Sequence, residues 1–203
     1  MKNYINCDSL ITLRPADILK KLPVVIRVNE FTEESAKDFS EAMSNAHETG
    51  QPVIPIVIDS YGGYAASLQL MIDEIQTSKI PVATIIEGKA MSCGAILAGF
   101  GAHGYRYAAP SASVMVHEIS AATWGRVEEM KADTKETDRM NNQIYTKLAK
   151  YCGHDAHYFL DMMDTKKHAD WYLTPASAKK HGLVDVVGIP EFVTTISVTY
   201  SFE

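Results

Sequence analysis

PVATIIEGKAMSCGAILAGF, residues 81–100, holds the transition on which the reading of the fold turns. Its first part, Pro81 to Ile86, is β-branched and reads as a strand. Gly88 to Gly94 reads as a turn, and Ala95 to Phe100 as a short apolar helix entered from it. Ser92 then sits at a helix N-terminus, where the first backbone N–H groups have no partners inside the helix. Such groups stabilise negative charge that develops beside them. The small residues Ala90 and Gly94 leave room for a substrate backbone to come close.

The segment just upstream repeats the arrangement. Val53 to Ile58 (VIPIVI) reads as a strand, and Pro55 within it points to an edge or an irregularity. Asp59-Ser60-Tyr61-Gly62-Gly63 follows as a turn whose two glycines permit positive φ. The helix after it carries Leu68, Met71, Ile72 and Ile75 on one face. Two such turns side by side can supply an oxyanion hole and a groove for an extended substrate.

Further out, Pro23 to Val28 reads as a strand, and Thr32 as the cap of a helix that Gly50 closes. Tyr105 to Ala108 and Ser113 to His117 read as short strands. Thr123 to Tyr151 reads as a long polar helix, with Glu128–Lys131 and Glu136–Arg139 as i,i+3 pairs on a solvated face. A helix is expected over His154 to Met163. Another begins at Thr174-Pro175 and ends at Gly182. Val184 to Val187 and Thr194 to Val198 read as late strands. Alternating strands and helices predict an α/β fold with mostly parallel strands and right-handed crossovers. Chemistry in such folds gathers where strands end and helices begin. With no repeat and no linker, residues 1–203 read as one domain.

The net charge of −6, from 19 basic and 25 acidic residues, argues against a nucleic-acid surface. Cys7, Cys93 and Cys152 are odd in number and form no C-x-x-C, so neither a disulfide framework nor a zinc knot is expected, and a reducing, cytoplasmic setting fits. Met1 to Leu22 lacks the pattern of a signal peptide, and the most apolar window, Ala90 to Ala102, is shorter than the about 20 residues a membrane helix needs. Gly99 to Gly104 formally matches G-x-G-x-x-G but follows a helix instead of a strand, which argues against a dinucleotide. His154, His157 and Asp161 are too loosely spaced for a metal site. No cofactor and no metal are expected.

A serine hydroxyl is a weak nucleophile and needs a base within hydrogen-bond reach. His117, at the end of SVMVH, is the best candidate. The base in turn needs an acid to orient it. Asp133, Asp138, Asp161, Asp164 and Asp170 are all available, and their chemistry does not choose among them.

Several motifs in order resemble one family. GKAMSCG (88–94) is similar to the nucleophile segment of the Clp protease proteolytic subunit, and SASVMVH (111–117) to its histidine strand. IDSYGG (58–63) resembles its glycine loop, with Asp59 and Tyr61 where the family writes Asn and Pro. Asp170-Trp171-Tyr172-Leu173-Thr174-Pro175-Ala176 and the stretch from Ala178 to Asp185 resemble the segments that carry and follow its aspartate. The resemblance runs from Val53 to Val187, with residues 1–50 divergent.

The resemblance implies a ClpP/crotonase-type fold with repeated β-β-α units and a protruding handle helix. It makes Ser92, His117 and Asp170 a catalytic triad, gives the oxyanion hole to the amides of Gly63 and Cys93, and puts Gly62 and Tyr61 against the substrate. It also implies a homo-oligomer of stacked heptameric rings that encloses polypeptide substrates, fed by an AAA+ unfoldase. The divergent N-terminal part leaves two alternatives: a phage head-maturation protease working without ATP, or a catalytically silent scaffold subunit.

Overall fold

The computed structural model describes residues 22–120, 124–167 and 169–192. The readings for 1–21 and for Thr194 to Val198 lie outside the described residues. In chain order the elements are β1 (Ile26–Val28), α1 (Glu33–Glu48), β2 (Ile54–Ser60), α2 (Ala65–Thr77), β3 (Val82–Met91), α3 (Cys93–Gly99), β4 (Arg106–Ala108), β5 (Ser113–Val116), α4 (Val127–Tyr151), α5 (Tyr158–Thr165), β6 (Trp171–Leu173), α6 (Pro175–Lys180) and β7 (Val186–Val187). The expected α/β alternation is therefore present. The main sheet runs β1-β2-β3-β4-β7, and every pairing within it is parallel.

The central strands of this sheet are mostly buried and apolar in their first halves, as parallel strands packed under helices are. Ile54, Ile56, Val57 and Ile58 of β2 are all buried. Phe39 and Met43 of α1 pack in the same core as Leu68, Met71 and Ile72 of α2. Each such side chain contributes about 1.5–3 kcal/mol on burial. Thr32 caps α1 reciprocally: its hydroxyl accepts from the Ser35 N–H, and the Thr32 N–H donates to Ser35 Oγ. All seven residues of α3 are buried, as expected for a helix that is apolar on every side.

One strand decides the geometry of the site. β3 is ten residues long and has different neighbours at its two ends. Thr84–Ile86 pair with β4, whereas Lys89–Met91 pair with β5. β5 in turn carries β6, the antiparallel exception to the parallel rule.

The boundaries differ from expectation for physical reasons. Gly88 to Met91 is strand, not turn, because β5 supplies a fresh partner beyond the point where β4 ends. The step past Gly88 (φ +77) is absorbed by a shift in register, from Ile58↔Ile86 to Ser60↔Ala90. Pro55 sits in an interior strand, but the β1 ladder begins at Ile56, so the missing N–H faces no strand on that side. Strands β1 and β7 are shorter than read, β5 stops at Val116, and the helix expected from His154 starts at Tyr158.

The glycines of residues 99–104 serve packing. A Cβ on Gly99 would lie 2.6 Å from Leu148 Cδ1, and one on Gly101 would lie 2.3 Å from Thr84 Oγ1. Among the described residues, no helix is long and apolar enough to cross a membrane.

Candidate active site

Ser92 joins β3 to α3 with φ 55 and ψ −122. A side chain at positive φ is strained, at a cost of about 1–3 kcal/mol, and survives only where its surroundings hold it. Here they do. The Ser92 N–H donates to the Met115 carbonyl on β5 at 2.8 Å. Its own carbonyl accepts from the Ala95 and Ile96 N–H groups at 3.1 and 3.2 Å. The serine is thus pinned between a strand and a buried helix. A sharp strand-to-helix turn of this kind exposes the hydroxyl at the top of the sheet.

The glycine loop crosses directly over it. A Cβ on Gly62 (φ +110) would lie 2.7 Å from Ser92 Cβ and 3.1 Å from both Ser92 Oγ and the Met91 carbonyl. Gly62→Ala is therefore expected to displace the serine or the loop. Reaction of the Ser92 hydroxyl with a fluorophosphonate should slow at least about 100-fold, since a shift of 1 Å at a reacting group costs that much. Initial rates at matched protein folding, followed by circular dichroism, check this.

Gly63 (φ +153) forms a bridge with Phe31, and the Tyr64 N–H donates to the Phe31 carbonyl at 2.7 Å. A Cβ on Gly63 would meet that carbonyl oxygen at 2.5 Å. The Gly63 carbonyl accepts from Cys93 Sγ at 3.2 Å. The Cys93 N–H opens α3 and has no acceptor within the helix. Cys93 follows Ser92 in the chain, and its thiol is the contact that joins α3 to Gly63. Burial pushes the Cys93 thiol pKa up and outweighs the hydrogen bonds from the Gly63 backbone and the Ser92 side chain that favour the thiolate. The thiol stays protonated and keeps its donor role.

The rim beside this loop is polar and aromatic. Lys89 Nζ bonds Asp59 Oδ1 at 2.7 Å and stands 4.3 Å above the centre of the exposed Tyr61 ring. The hydrogen bond from Lys89 holds the Asp59 carboxyl below its usual range.

The register of β3, β5 and β6 assembles the remaining candidates. Met91 is level with Met115 across β3 and β5, and Val116 is opposite Trp171 across β5 and β6. The ladder ends at the Val116–Trp171 pair, and His117 and Asp170 are the residues that directly adjoin that last pair in the chain. Neighbouring strands lie about 5 Å apart. Of the five aspartates left open by sequence, Asp133 and Asp138 lie on α4, and Asp161 and Asp164 on α5. Asp170 is the one at this strand end. No hydrogen bond among the described residues joins Ser92 to the His117 ring or His117 to Asp170. Ser92 follows β3, His117 follows β5, and Asp170 precedes β6.

Two contacts at this site carry no sequence signal of their own. The hydroxyl of Tyr145, on α4, donates to the His117 carbonyl at 2.5 Å. One turn earlier, Asn141 Oδ1 accepts from the Ile119 N–H at 3.0 Å. Tyr145 sits among Ile144, Leu148 and Ala149 in the helix pattern and reads as plain core. Its polar tip could have been flagged only because a buried tyrosine hydroxyl needs a partner.

The histidines weighed as metal ligands have structural contacts instead. His154 stacks on Tyr158 at 3.8 Å, and its Nε2 contacts the His181 carbonyl at 3.1 Å. Among the described residues no cluster of three is placed to hold a metal ion. Cys93 and Cys152 are both free thiols.

A parallel sheet that hands a strained serine to a helix N-terminus, under a two-glycine loop, defines an α/β protein with a sharp strand-to-helix turn at its centre. The chain belongs to the Clp protease family, whose model matches residues 13–191. The matched span takes in β1 and α1, ahead of the motifs that begin at Val53. The chain is also similar to the ATP-dependent Clp protease proteolytic subunit 1 of Rhodococcus jostii (strain RHA1). The two are 33% identical over 135 residues, which is 66% of this chain and 60% of the relative.

Proposed function

We propose that the chain is a serine endopeptidase that cleaves unfolded proteins or peptides inside an oligomeric chamber. Ser92 attacks the scissile carbonyl, and His117 takes its proton and returns it to the leaving amine. Asp170 orients His117 and steadies the imidazolium. The N–H groups of Gly63 and Cys93 hold the oxyanion of the tetrahedral intermediate. Gly62 and Tyr61 line the path of the extended substrate.

The observation that carries this reading is the backbone of Ser92. A non-glycine residue is kept at φ 55, at the mouth of a buried helix, by a hydrogen bond to the strand that leads to His117. Strain maintained at such a cost has a use in attack geometry. Catalytic hydrogen bonds in a substrate-free site are commonly long and tighten when substrate binds, which accommodates the open contacts of His117.

The chamber is argued from α4. It is 25 residues long, and its buried positions are Ile144, Tyr145, Leu148 and Ala149, all in its last third. The remainder projects about 20 Å or more at 1.5 Å per residue. Val127 and Met130 are exposed on it, and Trp124 just before it is 88% exposed. Such a projection suits contact with further copies of the chain, in line with stacked rings. The relative's name, ATP-dependent Clp protease proteolytic subunit 1, supports an ATP-driven partner; the AAA+ unfoldase and the cytoplasmic setting are carried over from the motif resemblance.

The assembled protein should hydrolyse a small fluorogenic peptide without ATP. It should degrade a folded substrate only when an AAA+ unfoldase and ATP are added. His117→Ala should reduce peptide hydrolysis by about 10⁴-fold. Degradation of the folded substrate without ATP would favour the maturation-protease alternative, and no hydrolysis of either substrate would favour the silent scaffold.

A further inference from the structure

His117 has an unusual place in the fold. β5 ends at Val116, so the residue that must hold its imagined proton-transfer geometry lies just past the last paired position of the sheet. The ladder that pins Ser92 does not pin His117. Beyond the ladder, two hydrogen bonds that hold the backbone of this segment come from one helix, α4.

We infer that Tyr145 is the positioning residue for His117, with Asn141 as its second hold: the Tyr145 hydroxyl fixes the His117 carbonyl while Asn141 fixes the Ile119 amide. The inference rests on the triad reading above and extends it to α4.

Three observations carry it. First, the contacts grip both sides of the same short segment, at 2.5 Å to the His117 carbonyl and 3.0 Å from the Ile119 N–H. Tyr145 and Asn141 are one helical turn apart, so they lie on one face of α4 and act together. Second, Tyr145 has no exposed surface and packs beside Phe159, with ring centres 6.4 Å apart. Its ring cannot swing, so the hydroxyl is a fixed donor. Phenylalanine would fill the same space; the hydroxyl is therefore what needs explaining. Third, burial raises the Tyr145 pKa far above its ordinary value. The phenol stays protonated and donates across the whole working pH range of a peptidase.

The chemical consequence is directional. A carbonyl held by a rigid donor sets the peptide plane, and the peptide plane sets where the imidazole leaves the chain. Loss of the hold lets the segment drift by a fraction of an ångström to an ångström, enough to weaken proton transfer without touching substrate binding.

The test uses the full chain in its assembled form, with a fluorogenic peptide. Tyr145→Phe should lower kcat about tenfold, leave KM within twofold, and leave both Tm and particle mass unchanged. Asn141→Ala, at a half-buried position, should move kcat in the same direction by less. The decisive arm puts Tyr145→Phe into His117→Ala protein. If Tyr145 acts through His117, the residual rate there should not fall further. Wild-type kcat in Tyr145→Phe would overturn the inference, as would an equal loss with and without His117. Failure of the underlying reading looks different: Ser92→Ala and His117→Ala would then retain wild-type hydrolysis.

Discussion

In the proposed mechanism, Ser92→Ala is expected to lower kcat for peptide hydrolysis by at least about 10⁴-fold. The serine supplies the atom that forms the acyl bond, and no neighbour can replace it. Cys93 is the nearest nucleophile type, but its thiol is buried, its pKa is pushed up, and its sulfur is committed to the Gly63 carbonyl. A residual rate well above background should remain all the same, because the paired amides and the substrate groove still favour the transition state without a nucleophile. The substitution should not cost stability. Alanine removes one hydroxyl and keeps the backbone that Met115 and α3 hold. A wild-type melting temperature beside a lost rate is therefore the expected pair of results, and thermal unfolding with initial-rate kinetics measures both.

The second large effect concerns the fold. Arg106→Ala should destabilise the protein by about 3–5 kcal/mol, the range for stranding one partner of a buried pair. Arg106 Nε and Nη2 bond the two carboxylate oxygens of Asp185 at 2.9 and 2.5 Å. Nη1 reaches the Gly182 carbonyl at 2.7 Å and the Gly99 carbonyl at 3.3 Å. One side chain thus ties β4 to the ends of α3 and α6. Asp185 also accepts from the Gly104 and Arg106 N–H groups at 2.8 and 3.1 Å. The Arg106 side chain is 5% exposed and that of Asp185 22%. Removing the guanidinium leaves a carboxylate with little water and only two weak donors.

The same pair has a pH signature. Burial alone would raise the Asp185 pKa, but hydrogen bonds and charge from Arg106 outweigh it and hold the carboxyl below its ordinary value. A group whose pKa is lower in the folded chain contributes stability that is fully present above its unfolded value, about 3.9. That contribution is lost as the pH falls from there through the folded value. Urea midpoints for wild type and Arg106→Ala should therefore converge as the pH is lowered below about 4. Midpoints separated by the same amount at pH 3 and pH 7 would contradict the assignment.

Much of this was legible from residues alone, and the parts that were not have a common cause. The capped helix after Thr32, the apolar face of α2 and the paired glycines over the serine all follow from local patterns that survive folding. The choice of Asp170 does not. β6 is three residues long, too short for an alternating pattern to announce it, and its partner on β5 is more than fifty positions away. The resemblance of residues 170–176 to the family's aspartate segment is what singles out one aspartate of the five, and Asp170 directly precedes β6. The strain at Ser92 is equally silent, since nothing in a serine codon position signals positive φ as a glycine would. The continuation of β3 past Gly88 depended on a second neighbour, β5, that a local reading of the turn could not include. Tyr145 was hidden among core residues because only its hydroxyl has a special task.

The central claim is that Ser92 is an activated nucleophile. Its most direct measurement is reaction of the assembled protein with a fluorophosphonate, followed by mass spectrometry of the intact chain and its peptides. One adduct per chain, on Ser92, is the predicted result, absent in Ser92→Ala and much slower in His117→Ala. An assembled protein that takes no adduct, or takes it on another serine, would contradict the account.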